Sequence, residues 1–302
     1  MLFNPNIVNF GGHETFPVRY SWLTKGYKGI VKDKNFFKND DVAQILGVGA
    51  NMSISIKYWL KAFRIIDHQN FQITTIGKKI FDFKNGYDPF LEDDSTIWLL
   101  HWLVCSNPRV TLFYFLFNKF HKFEFTSDEM LTDLTDFLAK CVAEKKRPSM
   151  NTLKKDVQMI IRMYSSQPDK NTSEDSIDSP LSSLNLFYRN SGEKRVRSRI
   201  DEQKNLPYNV LAFAIAELME SQNIKSIPLT ELMYTNGNLC SIGSIFKLSE
   251  NGLIAKIENI TKEYPSFFQI RESSGINQLF KLKEIDPFFF LDRNYENLVK
   301  VA

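Results

Sequence analysis

Cysteine is scarce. The three present, Cys105, Cys141 and Cys240, lie more than thirty residues apart, so neither a CxxC metal or redox pair nor an even-numbered disulfide framework can be drawn. That usage fits a reducing, cytoplasmic setting. Glycine (13) and proline (11) are few among 302 residues, which excludes collagen-like and linker-like chains. The opening MLFNPNIVNF has neither the basic patch nor the long apolar stretch of a secretory signal. The densest apolar stretch, residues 97–117, is broken by His101, Ser106, Asn107, Pro108 and Arg109, so no membrane span is expected. HExxH and GxxxxGK[ST] are also missing, which argues against a zinc hydrolase, an intrinsic ATPase and any nucleotide cofactor.

What is present is apolar and aromatic. Hydrophobic residues make up 43% of the chain and aromatics 14%, with 26 Phe, enough to give two ordinary domains a core and to exclude whole-chain disorder. The net charge of +3 is unevenly spread. Residues 1–85 carry 12 Lys/Arg against 6 Asp/Glu, residues 86–183 carry 11 against 15, and residues 184–302 carry 15 against 14. A basic first third on a nearly neutral protein points to one surface that faces a polyanion, because Coulomb attraction to phosphates supplies most non-specific nucleic-acid affinity.

The expected fold is mainly α with small β-wings, in three regions: residues 1–86, 87–183 and 184–302. In the first, Trp22, Leu23, Tyr27, Ile30 and Val31 recur at helical spacing over residues 20–33. Asn39 is placed to cap a short helix over 40–46, and Gly47-Val48-Gly49 makes a tight turn. Residues 50–66 read as a third helix with the stripe Met52, Ile56, Trp59, Leu60 and Phe63. Residues 71–74 alternate as a strand and 75–79 turn the chain back. This is the order of a winged helix-turn-helix, whose third helix enters the major groove while its flanks hold phosphates. On that reading Asn51, Ser53, Ser55, Lys57, Lys61, Arg64, Lys78 and Lys79 contact DNA. The competing use of such a fold is protein docking.

The middle region reads as four helices, over 95–105, 110–120, 127–143 and 151–164, followed by a Ser/Asp/Pro-rich loop over 165–183. His101 sits among Leu100 and Trp102 as a packed histidine would. Glu92, Asp93 and Asp94 precede Ser95, where a helix amino terminus attracts carboxylates without a metal. The last region repeats the plan: helices over 208–221, 229–234 and 241–251, a strand over 253–257, and a hairpin through 267–270 and 278–282. Its third helix offers only Lys247 as a cation. Lys194, Arg195, Arg197 and Arg199 form a separate basic cluster that reads as a solvated loop or a phosphate-facing ribbon.

Five ordered blocks, FGGHETFPVRYSWLTKG (10–26), LGVGANMSISIKYW (46–59), DPFLEDDSTIWLLHW (88–102), NTLKKDVQMIIRMY (151–164) and EDSIDSPLSSLNLF (174–187), resemble a bacterial family of proteins with a domain of unknown function, the SspB-like family. The family's last block has Gly where this chain has Asn185. The resemblance implies a DNA-binding component of the DNA phosphorothioation systems that defend bacteria against phage. It implies a subunit that nicks one strand so that sulfur can enter the backbone, working with an ATPase, a reductase-like sulfur activator and a cysteine desulfurase.

Within the first block, Gly11-Gly12-His13-Glu14-Thr15 and Arg19 combine a backbone that can approach phosphate, an imidazole, a carboxylate and a guanidinium. One reading makes His13 a general base or metal ligand, Glu14 its orienter or a metal ligand, and Arg19 a phosphate clamp, with Mg²⁺ or Mn²⁺ as the cation. The other makes Gly-Gly a tight turn, gives His13 to backbone carbonyls, and has Glu14 cap the helix at Tyr20. A non-catalytic adaptor that holds DNA or partner subunits is the alternative function.

Overall fold

A computed structural model describes residues 3–165, 179–190, 192–234, 237, 239–273 and 275–299. It is mainly helical, with two three-stranded antiparallel sheets in the orders β1-β3-β2 and β4-β6-β5. The chain divides into two compact units, one of residues 4–116 and 122–199, the other of residues 1–3, 117–121 and 200–302. Among the described residues no helix is long and apolar enough to cross a membrane.

In the first unit, α1 (Tyr20–Lys32), α2 (Val42–Leu46) and α3 (Ala50–Ala62) follow the predicted order. Gly47, at φ +67°, ends α2 in the left-handed conformation that glycine adopts without steric cost. Asn39 does not cap α2: the helix begins at Val42, so the cap position falls to Asp41, and the Asn39 amide donates to the Asp33 carboxylate. α1 and α3 bury Trp22, Leu23, Tyr27 and Ile30 against Ile56, Trp59 and Leu60. α3 stops at Ala62, four residues short of expectation, and Arg64 takes φ +60° beyond it.

The first wing takes another form. Only one bridge, Ile66 with Ile73, is made, and residues expected to turn back form α4 (Thr75–Phe81). Thr74 explains the change. Its hydroxyl accepts from the Gly77 N–H at the new helix's first turn and donates to the Arg64 carbonyl. Gly77 lies so close to the Ile65 carbonyl that a Cβ would collide with its oxygen, so the helix can dock only with glycine there.

α5 (Asp94–Cys105) is buried from Ser95 onward, as expected of a helix that is apolar on every side. Asp93 caps it by accepting from Ser95 N–H, and Asp88 accepts from the N–H groups of Glu92 and Asp93, so the acidic run serves the helix end. His101 Nδ1 lies 2.7 Å from the Tyr164 hydroxyl inside the core. α6 (Thr111–Asn118), α7 (Ser127–Cys141) and α8 (Met150–Tyr164) complete the helices, α7 opening with a reciprocal Thr126/Glu129 capping box. β1 (Glu124–Phe125), β2 (Phe187–Tyr188) and β3 (Val196–Ser198) form the small sheet. Most of the predicted loop over 165–183 lies outside the described residues; its end is a short 3-10 helix, Pro180–Leu184, closed by Asn185 at φ +51°. Asn is the residue besides glycine that tolerates this conformation best. The basic cluster of residues 194–199 is largely neutralised: Arg195 Nε lies 2.6 Å from Glu124, and Arg197 pairs with Glu124 and Glu193.

In the second unit, α9 (Tyr208–Ser221) packs on α13 (Phe288–Val299), and β4 (Ser226–Pro228) joins the predicted hairpin of β5 (Phe268–Ser273) and β6 (Ile276–Lys281). α10 (Leu229–Met233) matches its prediction. Residues 241–251 do not form one helix. They hold α11 (Ile242–Ile245), and residues 253–257, predicted as a strand, lie in α12 (Glu250–Glu263). The Ser249 hydroxyl caps α12, and Leu253, Ile257 and Ile260 form its buried helical stripe. Lys247 is buried, at φ +50°, with its ammonium 5.5 Å from the Phe117 ring centroid, so it offers no cation to solvent.

Candidate nucleic-acid interface and the GGHET turn

The predicted contact residues part company. Asn51 is exposed and Ser53 half-buried on α3, the Ser53 hydroxyl donating to the Ala50 carbonyl. Ser55 is fully buried beside Ile56 and cannot touch DNA. Arg64, carried past the helix end, donates from Nη1 to the Ser106 hydroxyl and so is turned toward the helical body. Lys78 is exposed on α4, while Lys79 sits 5.4 Å from the Tyr87 ring centroid, so both occupy a helix rather than a wing.

Lys57 and Lys61, one turn apart, converge on one ring: their ammonium groups lie 4.7 and 4.3 Å from the Phe71 centroid. Arg109 and His68 join them. Burial, then Lys57 and Arg109, holds the Lys61 ammonium below its usual pKa range. Burial, then Arg109 and Lys61, pushes His68 down to about 4, against the opposing pull of Asp67. Asp67 itself accepts from the N–H groups of Gln69 and Asn70. Two ammonium groups over one ring, within the field of Arg109, make this part of the surface electropositive, while His68 stays neutral near pH 7. Phe71, Arg109 and His68 were not expected here; only the aromatic and basic residues flanking the third helix hinted at them.

The GGHET turn is built from three left-handed residues in five, Gly11 (φ +75°), Glu14 (φ +49°) and Thr15 (φ +67°). Gly12 lies against Tyr58, whose ring atom Cδ2 would be 2.7 Å from an added Cβ. His13, 1% exposed, stacks on Trp59 and meets Tyr58 edge-on. Its Nδ1 accepts from the Thr15 N–H at 3.1 Å, and its Nε2 lies 3.1 Å from Asp156 Oδ1, off the hydrogen-bond direction, so that contact is electrostatic. Asp156 Oδ2 accepts from Gly11 N–H at 2.8 Å, and Arg162 Nη2 donates to the Thr15 carbonyl at 2.6 Å. Burial, then the Asp156 carboxylate, raises the Tyr58 phenol well above its ordinary range.

His13 therefore faces a carboxylate and a backbone N–H rather than backbone carbonyls, and a phosphodiester cannot reach its ring unless the turn opens. Glu14 does not cap α1; the cap position belongs to Arg19, whose guanidinium lies 5.4 Å from the Trp22 ring centroid. Asp156 is the partner that sequence reasoning missed. Its signal was an acidic residue next to Val157 on the apolar side of an amphipathic helix inside the fourth block.

The chain belongs to a family described as proteins of unknown function (DUF4007), whose model matches residues 10–295. No curated protein matches its sequence. Its fold is that of SspB: the chain superposes on an SspB crystal structure at TM-score 0.82 with 24% identity, and on magnesium ion-bound SspB at 0.81 with 23%, each over 97% of this chain and 90% of the other. Among the described residues no three His, Cys, Asp or Glu side chains are placed to hold a metal ion. At the turn Asp156 is already engaged by Gly11 and faces an imidazole, so this donor set does not match the near-octahedral oxygen shell magnesium requires.

Proposed function

We propose that this protein is the DNA-binding component of a bacterial DNA phosphorothioate modification and defence system. The observation that carries the reading is the convergence of the Lys57 and Lys61 ammonium groups on Phe71, with Arg109 adding to the positive field at Lys61, a surface that attracts and holds phosphates. Family membership and the fold shared with SspB support the assignment to such a system. In this reading α2 and α3 act as a helix-turn-helix, Asn51 and Ser53 lie on the groove-facing side of α3, and Lys78 and Lys79 hold phosphates from α4. An ATPase, a reductase-like sulfur activator and a cysteine desulfurase are the fellow subunits.

Strand nicking is assigned to the surface beside the GGHET turn, with Arg19 as phosphate clamp and Glu14 as the accessible carboxylate. His13 acts there as a positioning residue through Asp156. The burial of His13 also favours a second reading, a non-catalytic adaptor that holds DNA while another subunit cuts it. Gel retardation and nicking of a supercoiled plasmid, with and without Mg²⁺ or Mn²⁺, tests both beside His13→Ala. Retardation that weakens steeply with salt, together with nicking, is expected of the wild type. Binding without nicking moves the chemistry to a partner; no binding, or binding indifferent to salt, refutes the DNA reading.

A further inference from the structure

A hollow of about 410 Å³ opens beside the GGHET turn, lined by Thr15, Lys155, Gln158, Arg162, Ser165 and Arg189 among others. Among the described residues three cations and no carboxylate line it. This differs from the nearby Arg195 and Arg197, which are tied to Glu124, Glu129 and Glu193. Lys155, Gln158 and Arg162 stand at helical spacing on one face of α8, the helix that also sends Asp156 to His13. Arg162 is fixed by its bond to the Thr15 carbonyl, which leaves the rest of its guanidinium fork for a ligand. Ser165 is buried, and its hydroxyl has no hydrogen-bond partner among the described residues. A buried hydroxyl is normally satisfied, so Ser165 has a donor to offer a ligand in the hollow.

We propose that this hollow is a phosphate-binding pocket that seats a backbone phosphate of the DNA strand lying against the GGHET turn. The inference rests on the DNA-binding reading above. A phosphate group meets each feature: its charge answers the three cations, its oxygens match the planar fork of arginine, and one of them accepts from Ser165. The volume falls within the range of small-molecule pockets, about 300–1,000 Å³, so a phosphate can enter with its adjoining sugar.

The test uses the full chain and Lys155→Gln/Arg189→Gln, a variant that leaves the Arg162 support of the turn intact. Duplex DNA affinity is measured across a salt series. In parallel, thermal unfolding is followed with and without inorganic phosphate at constant ionic strength. The expected result is a salt dependence shallower by about 0.9 in the variant, the share of the one phosphate no longer neutralised, and loss of the stabilisation by phosphate that the wild type shows. Loss of phosphate stabilisation with an unchanged DNA slope keeps the pocket but assigns it a free phosphate or phosphomonoester, overturning the backbone source. An unchanged slope with no difference in phosphate response overturns the pocket. A wild type that responds to phosphate but fails to bind DNA sinks the DNA reading alone. Far-UV circular dichroism checks folding, and Arg189→Gln alone, with a smaller slope change in the same direction and a weaker response to phosphate, replaces the double variant if that does not fold.

Discussion

Removal of the Asp156 carboxylate is the sharpest probe of the turn. In Asp156→Ala the Gly11 N–H loses its acceptor, and His13 Nε2, inside the protein, loses the only charge that faces it at 3.1 Å. A charge-assisted hydrogen bond contributes about 1.5–3 kcal/mol, and a donor left buried and unpaired costs about 1–3 kcal/mol. The two overlap, so the expected loss is about 2–4 kcal/mol. For a unit of this size each kcal/mol lowers Tm by roughly 2–4 °C, giving a fall of about 5–15 °C. Urea unfolding followed by circular dichroism and tryptophan fluorescence reads the loss, because Trp59 stacks on His13 and its indole N–H donates to the Phe16 carbonyl just after the turn. Asp156→Asn keeps an acceptor for Gly11 and is expected to lose about half as much. In a cycle with His13→Ala the two residues should couple by about 1 kcal/mol or more. A loss below about 0.5 kcal/mol in Asp156→Ala, or additive single variants, refutes the claim that this pair holds the turn.

Lys57→Glu with Lys61→Glu should weaken duplex DNA binding and lower its salt slope by about two without changing Tm greatly; an unchanged slope in a filter-binding series would exclude this face as the contact. The depressed pKa of His68 makes stability pH-dependent in a defined sense. Between about 4 and 6.5 the unfolded chain binds a proton that the folded one refuses, so stability is complete above 6.5 and falls as pH drops toward 4. His68→Gln should flatten that slope in urea titrations at several pH values. Asn185→Ala should cost about 1 kcal/mol because of the left-handed backbone, whereas Asn185→Gly should be near neutral; equal losses on thermal melting would contradict the conformational argument.

Helical periodicity made α1, α3, α5 and α8 legible to within a few residues, because each has a continuous apolar stripe or, in α5, no polar face at all. The segments misread as strands or turns, residues 75–79 and 253–257, are short and rich in β-branched residues. Their outcome was decided by single capping hydroxyls, Thr74 and Ser249, whose effect depends on where the chain already lies. At the candidate site, residue type led to His13, Glu14 and Lys57 as candidates. Asp156 was not, since its role arises from a contact 145 residues away in sequence from Gly11. The exposure of Ser55 was misjudged because it falls on the buried face of α3 with Ile56, Trp59 and Leu60, and Arg64 because the helix ends before reaching it.

The bonds that fasten the GGHET segment also set the order in which it can form. Two of its non-glycine residues, Glu14 and Thr15, sit in a backbone region disfavoured by about 1–2 kcal/mol each, so the isolated segment does not hold this shape. Gly11 and Thr15 are pinned by Asp156 and Arg162, both on α8, across separations of 145 and 147 residues. During synthesis the most recognisable stretch of the sequence therefore leaves the ribosome early and stays without its shape until α8 has followed. A fragment ending before residue 150 would contain the signature in full and lack the structure that it denotes.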